Sequence, residues 1–286
     1  MTGVALVLIL IAAFAHATWN LLAKKACGGT EFIWLFTGMS VAIWAPVAAW
    51  IVFVQKPTIG WTQVGFILLS AFLQSFYFGF LDKGYEKGDM SIVYPVSRGT
   101  GPLIAAFAGI AFLGERPTWM GILGIGLMAA GIMALTGNPL DIVKSGANSG
   151  IVYALLCGVS IAAYTICDKI AVSRIMVPPV LMEWGTNLAR FIMLTPYIMK
   201  HRGEVAEQWK VNWANAIGIG ALCPLAYTLV LTAMVVSPVS YIAPAREISI
   251  LIGTIMGTRL LSEKPSMLKF IGSGAMLVGL IVMSLG

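Results

Sequence analysis

Residues 113–133 read LGERPTWMGILGIGLMAAGIM, and residues 261–281 read LSEKPSMLKFIGSGAMLVGLI. Gly124, Gly126, Met128 and Gly131 of the first stretch fall on Gly272, Gly274, Met276 and Gly279 of the second. Glu115 and Pro117 fall on Glu263 and Pro265. Outward from this pair the correspondence continues. Ser91 and Pro95 fall on Ser240 and Pro244, Tyr77 on Tyr227, Trp34 and Pro46 on Trp184 and Pro196, and Trp19 and Lys24 on Tyr164 and Lys169. The offset stays between 145 and 152 residues throughout. Self-similarity at a fixed offset marks a duplicated structural unit. The expected units are residues 1–138 and 148–286.

The solvent for this unit follows from composition. The 286 residues are 59% hydrophobic and only 10% charged, where a soluble domain carries about a quarter charged residues. A membrane-spanning helix needs roughly 20 mostly apolar residues. Ten stretches qualify: 3–23, 31–54, 61–81, 89–113, 117–136, 149–170, 178–199, 213–236, 238–260 and 266–285. The longest connections fall at 137–148 and 200–212, with no soluble domain or tail. Ala15-His16-Ala17 looks like a signal cleavage site, but no basic region precedes the apolar core, so the segment reads as a retained first helix. Five helices per unit is an odd number, so the second unit enters the membrane from the opposite side. The expected fold is an all-α integral membrane protein with ten transmembrane helices, a 5+5 inverted-topology repeat around a central cavity. Transporters use such repeats and bind solute near the midplane on interrupted helices.

The paired LGERP and LSEKP turns, each followed by a glycine-rich last helix, resemble the close of each repeat in the drug/metabolite transporter superfamily, in its ten-helix branch of paired EamA domains. Asn187-Leu188-Ala189-Arg190-Phe191 is similar to the Arg-Phe that this family places in the second helix of a repeat. The first repeat departs there, with Ser40 aligned to Arg190. The resemblance spans the whole chain. It implies a secondary transporter or exporter of small metabolites and leaves the substrate open. The superfamily's small multidrug members use a glutamate in their first helix, and no acidic residue occupies that helix here.

Ser91 to Ile104 reads SIVYPVSRGTGPLI, placing an arginine, two prolines and two glycines within an apolar run. Proline removes a helix hydrogen bond and clashes with the preceding turn, so Pro95 and Pro102 predict a bent or broken fourth helix, and Pro244 a break in the ninth. Arg98 lies about 12 Å of helix from Met90, near the middle of the bilayer, and Arg246 lies at the matching depth with Glu247 beside it. An ionisable residue at such depth points to a functional site. Two readings stand. Arg98 would pair with Glu247 or Glu183 in a structural ion network, or the guanidinium groups would line a cavity and offer forked donors to a carboxylate or phosphate-like group. Adjacent Arg246 and Glu247 would point about 100° apart on a helix and need different partners.

Other candidates follow from spacing. Glu183, Asn187 and Arg190 form one stripe, and His16 and Asn20 share a face of the first helix. The candidate proton carriers are His16, Glu247 and Glu183, with a neutral, backbone-bonded imidazole as the alternative for His16. Trp19, Tyr77, Tyr94, Tyr164, Trp184, Tyr227, and also Trp34 and Tyr241, recur near these polar faces, as pocket rings or as ordinary packing. Glu115 and Glu263, each just before a proline, read as structural helix-start signals.

The net charge of +6 comes from Lys and Arg placed mostly at helix ends, which suits membrane-surface anchoring and not nucleic acid. Cys27, Cys157, Cys167 and Cys223 have no metal spacing, and neither metal nor cofactor is expected. Counting Lys and Arg places both termini outside the cytoplasm, whereas the family resemblance implies both inside. The absence of GxxxxGK[ST] excludes intrinsic ATP use, and no HExxH or GxSxG is present. Asp82, Asp89 and Asp168 lie near predicted ends, so a membrane protease is disfavoured and no enzyme activity is expected. The expected function is alternating-access export or exchange of an amino acid or similar polar or amphipathic metabolite in a bacterial inner membrane. A facilitative channel is the alternative. The partners would be the solute and the lipid bilayer, with the protein a monomer or homodimer.

Overall fold

The structure, a computed structural model, describes residues 1–26, 28–88, 90–136, 148–260 and 267–286. Among the described residues there are helices and no strand, as hydrocarbon requires of an unclosed chain whose backbone groups must all be satisfied internally. The helices are α1 (Gly3–Ala26), α2 (Thr30–Trp50), α3 (Trp61–Lys87), α4 (Met90–Leu113), α5 (Trp119–Thr136), α6 (Asn148–Ser173), α7 (Pro179–Ile198), α8 (Arg202–Val236), α9 (Val239–Ala245), α10 (Ile248–Leu260) and α11 (Met267–Leu285). A π-helical turn, Ile51–Gln55, extends α2. Helices α9 and α10 are two pieces of the ninth span, so the plan is ten spans.

The packing has the symmetry that an inverted repeat demands. Helix α1 packs on α8, and its mate α6 packs on α3. Helix α4 packs on α6, and α10 packs on α1. Helix α2 meets α8 as α7 meets α3, while α2 meets α7, α4 meets α9 and α5 meets α11 across the pseudo-two-fold axis itself. Each contact therefore recurs with the halves exchanged.

Polarity runs opposite to that of a soluble globule. Phe14, Phe53, Phe107, Phe112, Ile122 and Ile281 face outward, while Thr165, Asp168, Glu183, Asn187, Ser240 and Glu247 are buried. Helix α7 is less apolar than most spans because Glu183, Asn187 and Arg190 occupy its inner face. Its apolar outer face still carries Ile192 and Met193.

Two sequence expectations are corrected, a broken fourth helix and a long connection at 200–212, while the break in the ninth falls where Pro244 places it. Helix α4 is unbroken through Pro95 and Pro102. A proline costs one backbone bond without obliging the helix to unwind, and the glycines beside Pro102 serve close packing instead. A Cβ on Gly101 would lie 2.7 Å from Ile161 of α6. In the second copy the helix does break, at Arg246-Glu247 after Pro244, with shortened backbone bonds from Glu247 N to Pro244 O and Ile250 N to Glu247 O. The connection at 200–212 is mostly helix: α8 starts at Arg202, and Asn212 donates to the carbonyl of Ala26 at the end of α1 (3.2 Å).

Glu115 does more than start its own helix. Gly114, at φ +72°, turns the chain after α4 in a region that suits glycine. The Glu115 carboxylate then accepts from the backbone N–H groups of Val239 (2.7 Å) and Ser240 (2.8 Å), capping α9 of the other half. Thr118 N–H donates to the Tyr241 hydroxyl (2.9 Å), and Lys169 donates to the carbonyls of Met234 (2.6 Å) and Ser237 (2.9 Å) at the end of α8. Glu263 and its turn lie outside the described residues.

The glycines of the closing stretches sit where α5 meets α11. A Cβ on Gly124 would stand 2.7 Å from the carbonyl of Gly279 and 2.4 Å from Met283, whereas Gly126 has nothing within 4 Å. Gly124→Val should therefore destabilise the protein by about 1–3 kcal/mol. Gly126→Val should leave the melting temperature in detergent unchanged.

Candidate functional site

The polar faces of both halves converge on a two-lobed central cavity. One lobe, with about 420 Å³ of empty space counting its mouth, is lined by His16 of α1, Arg98 of α4, Tyr164 of α6, Tyr227 of α8 and the Arg246-Glu247 turn between α9 and α10. The second encloses about 640 Å³ on the same count. It shares His16, Arg98, Tyr164 and Tyr227, and adds Trp19, Gln74, Tyr77, Phe78, Glu183, Arg190 and Cys223. Arg98 and Arg246, from mirrored helices, thus line one chamber.

The break in the ninth span sets the geometry of its charges. Arg246 Nε donates to Glu247 Oε1 at 3.0 Å, so the two neighbours pair with each other. The expectation of divergent partners assumed a continuous helix, and the turn removes that constraint. On α7 the polar stripe is a bonded chain. Asn187 donates to Glu183 Oε1 (2.6 Å) and Arg190 to Asn187 Oδ1 (3.5 Å). Arg190 also donates to Gln74 Oε1 and stands 5.3 Å from the centre of the Phe78 ring. Among the described residues three guanidinium groups and two carboxylates line the chamber, a formal excess of one positive charge.

The aromatic wall has two groups of rings. Tyr77, Tyr164 and Tyr227 meet edge to face at 6.4 and 6.2 Å, and His16 meets Trp19 edge to face at 4.9 Å. Such rings offer apolar faces to a solute body and hydroxyl or ring N–H groups to its polar parts.

Several predicted site residues lie elsewhere. The Asn20 amide donates to the His16 carbonyl on its own helix (2.7 Å) and is not part of the cavity wall. Asn187 and Trp184 border a separate crevice with Ser40 and Trp44. The Trp184 indole donates to the Val41 carbonyl (3.0 Å), while its repeat mate Trp34 stacks on Phe191 at 4.7 Å and donates to Thr195 (3.0 Å). This tryptophan pair joins α2 to α7 across the pseudo-two-fold axis. Packing decides their place, and sequence spacing alone does not separate it from pocket lining. Trp184→Phe should cost stability about 1 kcal/mol and leave solute affinity unchanged in a binding assay. The side chains of Tyr94 and Pro95 lie outside those described.

Other residues were not anticipated. Gln74 lies one turn before Tyr77, and its amide also donates to Ser70 (3.2 Å). A lone amide one helical turn from a cavity tyrosine was the available signal. Asp168 was placed near a helix end, yet it is wholly buried, and the Tyr227 hydroxyl donates to its Oδ2 at 2.6 Å. Asp82 is exposed, and Asp89 lies outside the described residues.

A duplicated bundle of apolar helices with charged groups held in its interior defines an integral, multi-pass membrane protein. The EamA-like transporter family model matches residues 3–137 and again 148–285. The chain belongs to the EamA-like transporter family, and is a membrane transporter of the drug/metabolite type working on small solutes within the bilayer. No curated protein matches the chain. One solved chain, described only as "Crystal structure of protein", shares 17% identity with a TM-score of 0.74, over 97% of this chain and 98% of that one. The likeness is one of fold.

Proposed function

We propose that the protein is a secondary transporter that exports or exchanges a small metabolite bearing a carboxylate or similar anionic group, an amino acid or a related compound, by alternating access. The observation that carries this reading is the chamber shared by Arg98 and Arg246. Each half supplies one guanidinium of this pair, so a rocking of one half against the other opens or closes the chamber around a single bound group. Forked guanidinium donors suit a carboxylate, the excess positive charge favours an anionic group, and the tyrosine and tryptophan rings accommodate an apolar body.

The test is counterflow in proteoliposomes. Vesicles preloaded with unlabelled L-amino acids should take up an external radiolabelled L-amino acid mixture saturably and faster than empty vesicles. Flux that neither saturates nor responds to preloading would replace the carrier with a channel. No flux of any amino acid would overturn the substrate assignment.

A further inference from the structure

Asp168 is a buried carboxylate that the solute site does not use. It is wholly inaccessible, and Oδ2 accepts from the Tyr227 hydroxyl, while Oδ1 has no hydrogen-bond partner among the described residues. Four elements bring groups toward it: Ser70 from α3, Tyr227 from α8, Arg190 and Glu183 from α7, and Arg246 from the turn between α9 and α10. Tyr164 and Cys167 neighbour it on or through its own helix. Burial makes the charge of such a group sensitive to every other charge nearby. The corresponding position in the first repeat is Ala23, at the offset that pairs Trp19 with Tyr164 and Lys24 with Lys169. The carboxylate is therefore not one of the packing devices that the two copies share.

We propose that Asp168 is the site at which a proton joins the solute, bound while the anionic group occupies Arg98 and Arg246 and released when that group leaves. This rests on the transporter reading above. The sign follows from the charges. With Asp168 ionised, three carboxylates offset the three arginines Arg98, Arg190 and Arg246. With Asp168 protonated, one positive charge is left for the solute. Proton and anion then favour each other's binding, and one proton travels with each solute, outward when the solute gradient drives export.

Tyr227 supplies the route, since it lines both lobes and donates to Asp168. Its hydroxyl passes its proton to Oδ2 as the phenol oxygen takes one from a hydronium ion in the cavity, which is left as neutral water. Charge and atoms balance, with one proton moved and no bond between heavy atoms changed.

The experiment uses the full chain in proteoliposomes with the same radiolabelled L-amino acid mixture. In the wild type, half-saturation should tighten as pH falls, by up to about tenfold per pH unit, and an imposed pH gradient should drive accumulation. Asp168→Asn mimics the protonated form. It should keep saturable counterflow, hold its affinity constant with pH, and lose accumulation driven by the gradient. Tyr227→Phe keeps the carboxylate and removes the relay. It should retain the pH dependence of affinity and slow gradient-driven uptake, which keeps the test open if the asparagine variant fails to fold. Wild-type counterflow with pH-independent affinity, or undiminished gradient-driven accumulation in Asp168→Asn, would overturn the proposal. Absence of counterflow in the wild type would instead overturn the transporter reading on which it rests.

Discussion

Arg246→Ala should weaken solute binding by about a hundredfold and destabilise the protein by about 3–5 kcal/mol. The two effects have different causes. The stability loss arises because Glu247, 2% exposed, is left buried without the guanidinium that it accepts from at 3.0 Å. The affinity loss arises because the solute's anionic group loses a charge-assisted donor. The double variant Arg246→Ala with Glu247→Gln separates them: thermal stability should return most of the way while solute affinity stays low. Arg98→Ala, from the mirrored helix, should lower affinity similarly. The checks are melting temperature in detergent and half-saturation in counterflow. If the double variant regained wild-type affinity, or Arg98→Ala kept it, the arginines would be structural and the chamber would not be the solute site.

Glu115→Ala should lower stability by about 3 kcal/mol, the loss of two hydrogen bonds to a charged acceptor. The N–H groups of Val239 and Ser240 would lose the carboxylate that now takes both. Helix α9 has seven residues and is interrupted at once by the Arg246-Glu247 turn, so few of its own bonds compensate. Glu115→Gln keeps an acceptor oxygen without the charge and should fall between alanine and wild type. A melting temperature unchanged in Glu115→Ala would show that the cap contributes nothing to folding.

The duplication was legible because its signals are local. Glycine spacing, the Glu-x-Pro turns and apolar run lengths are properties of short segments, and they imply the two families of contacts seen in the fold. The polar stripe of Glu183, Asn187 and Arg190 was legible for the same reason, since helical periodicity fixes which residues share a face. What spacing does not specify is the neighbour across a contact. Trp184 and Trp19 look alike in sequence, yet one indole ends on the Val41 carbonyl and the other side chain lines the cavity. Asp168 looked terminal because its apolar run ends nearby. Its burial comes from α3 and α8 folding over it, which residues near Asp168 do not encode. The Arg246-Glu247 pair was misjudged because regular helical spacing was applied across the break that Pro244 itself predicts.

The seam between α5 and α11 has one more implication. Gly124 and Gly279 bring main chain against main chain, with the Met283 side chain laid over Gly124 and that of Met128 over Gly279. A contact this close, locked by two methionines, resists being pulled apart. Any relative motion of the two halves would therefore use this line as its pivot, with displacement growing toward the opposite face of the bundle, much as scissor blades travel farthest from the rivet.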